Sequence, residues 1–72
     1  MPLSFGEVNQ AYRIARISGK DEIRAHLQNM GFSEKTRIVI RQRIAGSLIV
    51  EVLGVRVALD PGLARRIHIQ PE

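Results

Sequence analysis

The sequence predicts a mainly β domain, a small closed barrel of about five short strands with one helix in the first connection and a short helical turn before the last strand. Three observations predict it. Apolar residues alternate with polar ones through most of the chain, the period of strands with one buried face. One stretch alone, Ile23 to Phe32, changes to helical spacing, with Ile23, Leu27 and Met30 on a single stripe. At 72 residues there is material for one core only, and closing the sheet on itself hides edges that so small a domain could not otherwise cover.

Taken in order, Tyr12 and Ile14 alternate with Arg13 and Ala15, which gives a first strand from about Ala11 to Ile17. Gly19 interrupts it. Ser18, with Asp21 three residues on, reads as an N-cap pair for the helix, and Asp21 and Glu22 lie at the positive end of its dipole. Gly31 stands where a helix end most often needs positive φ, so that Phe32 can fold back on the last turn. A polar turn, Ser33 to Thr36, leads into the clearest strand, Thr36 to Ile44. There Ile38, Ile40 and Ile44 share one face, and Arg37, Val39, Arg41 and Arg43 the other. Leu48, Val50 and Val52 supply the inward face of the next strand, and Gly54 breaks the pattern as a turn or bulge would. Val55, Val57 and Leu59 alternate again. Asp60 reads as an N-cap followed by Pro61 in the first turn of a helical piece that runs through Arg65. Ile67 and Ile69 form the closing strand before Pro71 and Glu72.

A three-residue loop, Ala45 to Ser47, pairs Ile44 with Leu48 and places Arg41 opposite Glu51, Arg43 opposite Ile49 and Val39 opposite Leu53. Opposed charges favour this register, whereas a two-residue loop would reverse the faces and bury arginines. Val39, Ile49 and Leu53 then form an apolar cluster outside the hairpin. Either another part of the chain covers it, such as the segment carrying Leu3 and Phe5, or it is a docking patch.

No catalytic set emerges. The serines at 4, 18, 33 and 47 sit at turns or caps without a histidine at useful spacing, and no glycine-rich loop precedes a lysine in the phosphate-cradling order, so the chain is not expected to be an enzyme. Metal binding needs three or four converging ligands. His26 has Glu22 four positions earlier, which reads as a helical charge pair, and His68 alternates outward between Ile67 and Ile69, so neither is assigned as a metal ligand and no cofactor is expected. Cysteine is absent, which excludes disulfides and thiolate sites and fits a cytoplasmic home. No apolar run approaches the roughly 18 residues of a membrane span, and the start lacks a signal-peptide pattern, so no membrane insertion is expected. The net charge is +4, from nine arginines and two lysines against seven acids, but the basic residues are spread and aromatics are 4% of the chain. That argues against specific nucleic-acid binding and leaves an acidic or membrane-associated partner to use the charge.

Ile23 to Phe32 resembles the segment L-R-x-x-L-x-x-M-G, followed by leucine or phenylalanine, of the FeoA proteins, small cytosolic accessories of the bacterial ferrous iron transporter FeoB. The opening Met-Pro-Leu-Ser is similar to the common FeoA start, Val52 to Leu59 to its paired strands around a glycine, and Leu63 to Ile69 to its closing strand. The likeness spans nearly the whole chain. It departs at Glu34-Lys35, where the family usually has Pro-Gly, and at Asn9, near which it usually has glycine. Both are turns, so the departures bear on loop geometry rather than fold. The resemblance implies an SH3-like barrel and a non-enzymatic module that docks on the cytoplasmic domain of a FeoB-like transporter and supports or regulates iron(II) uptake. The candidate contact residues are Met30 and Phe32 at the helix end, Val39, Ile49 and Leu53 outside the hairpin, and Arg41 and Arg43 beside them. The alternative is an SH3-like nucleic-acid-binding or repressor-associated domain, and a weak homo-oligomer through the outer hairpin face is compatible with either.

Overall fold

A computed structural model describes residues 1–72. After a 3₁₀ turn, Leu3–Phe5, the order is β1 (Ala11–Ile17), α1 (Asp21–Asn29), β2 (Arg37–Ile44), β3 (Ser47–Val52), β4 (Val55–Leu59), α2 (Pro61–Ala64) and β5 (Ile67–Pro71). The strands form one sheet in the order β4-β3-β2-β1-β5, antiparallel throughout. The sheet is a curled barrel rather than a fully closed one, because no ladder joins β4 to β5. The connection between those strands, α2, packs on β3 and β4.

The alternation read from sequence sets the core. Tyr12, Ile14, Ile38, Ile40, Leu48, Val50, Val52, Leu59, Ile67 and Ile69 all point inward and are buried, joined by Leu3, Leu27, Phe32 and Ala64. Large apolar side chains buried this completely each contribute about 1.5–3 kcal/mol.

The N-terminal segment covers one of the two edges that the ladder leaves open. Met1 exchanges both backbone hydrogen bonds with Ile69, at 2.8 and 2.6 Å, and Pro2 bridges His68, so β5 is covered on its outer edge. Leu3 enters the core, Phe5 stays exposed, and Val8 then runs parallel to β2 at Ile40.

Helix α1 begins at Lys20 without a side-chain cap; Ser18, expected to cap it, instead turns its hydroxyl to the Arg66 carbonyl at 3.3 Å. Its C-terminus follows expectation. Gly31 has φ +101°, its N–H donates to Gln28, and the Phe32 N–H donates to Leu27, the paired bonds of a glycine-terminated helix. Phe32 is thereby folded back toward Leu27 and is fully buried, so its expected place among the partner-contact residues is corrected. In α2 the Asp60 carboxylate accepts from the Leu63 N–H at 2.8 Å with Pro61 in the first turn, as read.

The hairpin register also needs correction. The β2–β3 loop has two residues, Ala45 and Gly46, and Ile44 pairs with Ser47, Arg43 with Leu48 and Gln42 with Ile49. Arg41 is then an extra residue, a bulge, after which Ile40 meets Val50, Val39 meets Glu51 and Ile38 meets Val52. The bulge restores the faces that a two-residue loop alone would reverse. Its consequence is that Ile44, expected to face inward, is 50% exposed.

Candidate partner-binding groove

Strand alternation sends Ala11 and Arg13 of β1, Arg37 and Val39 of β2 and Glu51 of β3 to the outside of the sheet. Cross-strand pairing lines them up. Ala11 meets Val39, which meets Glu51, which meets Arg56; Arg13 meets Arg37 in the neighbouring row. Together with Asn9, Thr36, Arg41, Leu53 and Gly54 they enclose a groove of about 530 Å³ with an apolar floor of Ala11, Val39 and Leu53 and a mainly basic rim.

The bulge aims Arg41 along this groove. Its guanidinium donates to Asn9 Oδ1 at 3.0 Å and to Glu51 Oε2 at 3.3 Å, while its Nε is buried without a partner. Glu51 is also 3.7 Å from Arg56 Nε. The hydrogen bond from Arg41, followed by the charge of the same group, holds the Glu51 carboxyl below its ordinary range. At the other end Glu72 Oε2 lies 3.1 Å from Arg13 Nε and 3.3 Å from Arg37 Nε, an ion pair with both.

Leu53 is the residue that fits its surroundings least. It sits in the two-residue turn between β3 and β4 with φ +52°, a conformation unfavourable for a bulky L-residue, and it is 74% exposed. Its Cδ1 leans over Gly31, where a Cβ would lie 3.2 Å away.

The expected contact residues therefore divide. Val39, Leu53 and Arg41 do come together in the groove, although Leu53 reaches it from the turn and not from a position opposite Val39. The Arg41–Glu51 ion pair forms as expected, but diagonally, since Val39 is the ladder partner of Glu51. Ile49, half-buried between Gln42 and Ala58, stays outside the groove. Arg43 turns the other way and donates to the Gly6 carbonyl, tying β2 to the N-terminal segment. Met30 is half-buried against the core, and Phe32 is inside it. Asn9, Arg13, Arg37 and Glu72 were not foreseen. The outward alternation of Arg13 and Arg37 was visible in sequence, but their juxtaposition depends on pairing between strands separated by the helix.

The two histidines are apart. His26 is exposed on α1, and half-buried His68 lies 3.3 Å from Ser18 Oγ, pushed below its ordinary range by burial and then by the charges of Arg16 and the amino terminus. No three His, Asp or Glu side chains converge. No helix is long and apolar enough to cross a membrane.

Known proteins share the fold of this chain. A family model described as "FeoA domain" matches residues 1–71. No curated protein sequence matches the chain. Among solved structures, an iron uptake regulatory protein (FeoA) is 30% identical with a TM-score of 0.86, covering 96% of this chain and 92% of that one. FeoA of Stenotrophomonas maltophilia, solved with zinc and described as a prokaryotic SH3 domain protein, is 21% identical with a TM-score of 0.83, over 97% and 89% of the two chains. A manganese-dependent transcriptional repressor shares the fold at 23% identity and a TM-score of 0.83, over 93% of this chain but 39% of its own.

Proposed function

The chain belongs to the FeoA family, small proteins of ferrous iron transport, and from that premise we propose that it is a non-catalytic docking module whose groove receives a segment of the cytoplasmic region of the transporter FeoB. The observation that carries this reading is Leu53. A leucine held at positive φ and left in solvent contributes little to the fold, and residues kept in such conformations cluster where a surface is used. It sits on the apolar floor of a groove whose rim offers arginines, the combination found at the centre of many protein interfaces.

The arginines also speak against the nucleic-acid reading. Arg13, Arg24, Arg37, Arg41 and Arg56 each face one of three carboxylates, Asp21, Glu51 or Glu72, and Arg43 is bound to a backbone carbonyl, so six of the nine arginines are engaged within the molecule rather than presented as one free basic stripe. Repressors of the same fold support the architecture only.

Capture of this chain by the immobilised cytoplasmic region of FeoB tests the proposal. Leu53→Asp should fold normally by circular dichroism, because the side chain is exposed, and should weaken capture by about tenfold or more. Undiminished capture by the folded variant would remove the groove from consideration.

A further inference from the structure

Arg13 and Arg37 are direct cross-strand neighbours on the outer face of the sheet. Like charges so placed repel, and two guanidiniums converging on one point form an anion site unless something fills it. Here something does: one oxygen of Glu72 forms an ion pair with both, 3.1 Å from Arg13 Nε and 3.3 Å from Arg37 Nε. We propose that the Arg13–Arg37 pair is a carboxylate-binding site for an acidic segment of a protein partner, and that Glu72 is its internal stand-in, displaced when the partner docks.

Four observations carry this. The ligand chemistry is already displayed, since the group in place is a side-chain carboxylate. Glu72 meets the two arginines at ion-pair distance without a hydrogen bond to either, and Arg37 donates no side-chain hydrogen bond within the molecule, so its guanidinium remains for a better-placed ligand, while Arg13 Nη1 is held by the Lys35 carbonyl. All three side chains are partly solvent-exposed, and ion pairs of that kind are weak enough to exchange. The apolar floor beside the pair, Val39 and Leu53, asks for an apolar residue next to the acid, which distinguishes a peptide from a small anion. Glu51, by contrast, accepts a hydrogen bond from Arg41, which Asn9 also holds, and so belongs to the wall of the groove.

The inference rests on the groove being the docking surface, so its test must separate the two. A fluorescent hexapeptide alternating glutamate and leucine serves as probe for binding to the full chain by anisotropy. Glu72→Gln should tighten binding by about two- to fivefold, the removal of a weak internal competitor. Arg13→Ala with Arg37→Ala should weaken it by about tenfold and flatten its salt dependence, with the thermal transition retained. Inorganic phosphate at millimolar concentration should compete poorly; phosphate competing as well as the peptide would show a general anion site and overturn the proposal, as would Glu72→Gln without effect. Capture by the FeoB cytoplasmic region then distinguishes the readings. If the double arginine variant is captured normally while Leu53→Asp is not, the carboxylate site is wrong and the docking groove stands. If Leu53→Asp is captured normally, the docking reading itself fails.

Discussion

The turn joining β2 to β3 and the turn joining β3 to β4 ask the same thing of the backbone. Each has two residues, and both residues have positive φ: Ala45 at +49° and Gly46 at +87° in one, Leu53 at +52° and Gly54 at +77° in the other. This is the pattern of the tight hairpin turn whose twist suits the flanking strands, and glycine, asparagine or aspartate is the usual first residue. Neither turn uses one. Alanine in the first turn is a small departure; leucine in the second is a large one, and only the second overlooks the groove. Equal backbone demand with unequal side chains separates what the fold requires from what the surface is for.

The largest expected difference between the turns is in binding. Aspartate at Leu53 should reduce capture by the FeoB cytoplasmic region about tenfold or more, whereas aspartate at Ala45 should leave it within about twofold. Equal losses would break the comparison, since they would point to a general charge effect.

Next in size is the contact between the second turn and the helix end. Gly31→Ala forces a Cβ into φ +101° and toward Leu53 Cδ1, and should lower stability by about 1–2 kcal/mol in chemical denaturation. Adding Leu53→Ala should recover part of that loss, while adding Ala45→Gly should act independently, so that double-mutant cycles measure the coupling of one turn and not the other.

Asparagine tolerates positive φ, and placing it at either Ala45 or Leu53 should raise stability by about 0.5–1 kcal/mol. The same argument applies outside the hairpins to Asn9 and Lys35, at φ +65° and +71°. Both lie in the turns where the resemblance to the FeoA proteins implies a glycine, at Lys35 in one and near Asn9 in the other. Lys35→Gly should raise the melting temperature; Asn9→Gly should do so less, asparagine being the more tolerant residue.

The smallest effect concerns pH. Glu51, beside the second turn, has its folded-state pKa lowered by Arg41, so its contribution is present above the ordinary value of 4.5 and is lost as pH falls through the lowered one. Glu51→Gln should therefore flatten the acid limb of the stability profile below about pH 4.5. His68 is also lowered, so the unfolded chain takes up its proton first as pH drops below 6.5, and His68→Gln should remove a loss of stability that begins there.

How much of this was legible in sequence differs between the two sides of the sheet. The inner side was readable nearly residue by residue, because period-2 burial needs no knowledge of pairing. Tyr12, Ile14, Ile38, Ile40, Leu48, Val50 and Val52 were all placed correctly. The outer side depends on register, and there a three-residue loop and a two-residue loop with a bulge at Arg41 put the same residues inside from Ile40 back and from Leu48 on. They differ only at the hairpin end, which is why Ile44 was misplaced while the core was not. Bulges leave no compositional mark. Phe32 was misjudged for another reason: the glycine turn that was correctly foreseen directs the following residue back onto Leu27 and into the core. Arg13 and Arg37 belong to strands separated by a whole helix, and no local pattern announces that they meet.

The N-terminal segment has a consequence for synthesis. Met1 and Ile69, joined through both backbone groups, are 68 positions apart in the chain, whereas β2, β3 and β4 are linked by two-residue turns. As the polypeptide leaves the ribosome, the three-stranded meander can assemble locally while Met1, Pro2 and Leu3 wait for a strand that has not yet been made. Until residues 67–69 emerge, the place of Leu3 in the interior has no wall on the β5 side, so residues 1–3, made before the hairpins, are among the last to become ordered. A nascent chain stalled before β5 would thus present a loose apolar segment at Met1 to Leu3, a natural handle for chaperones and proteases, even with its hairpins already formed.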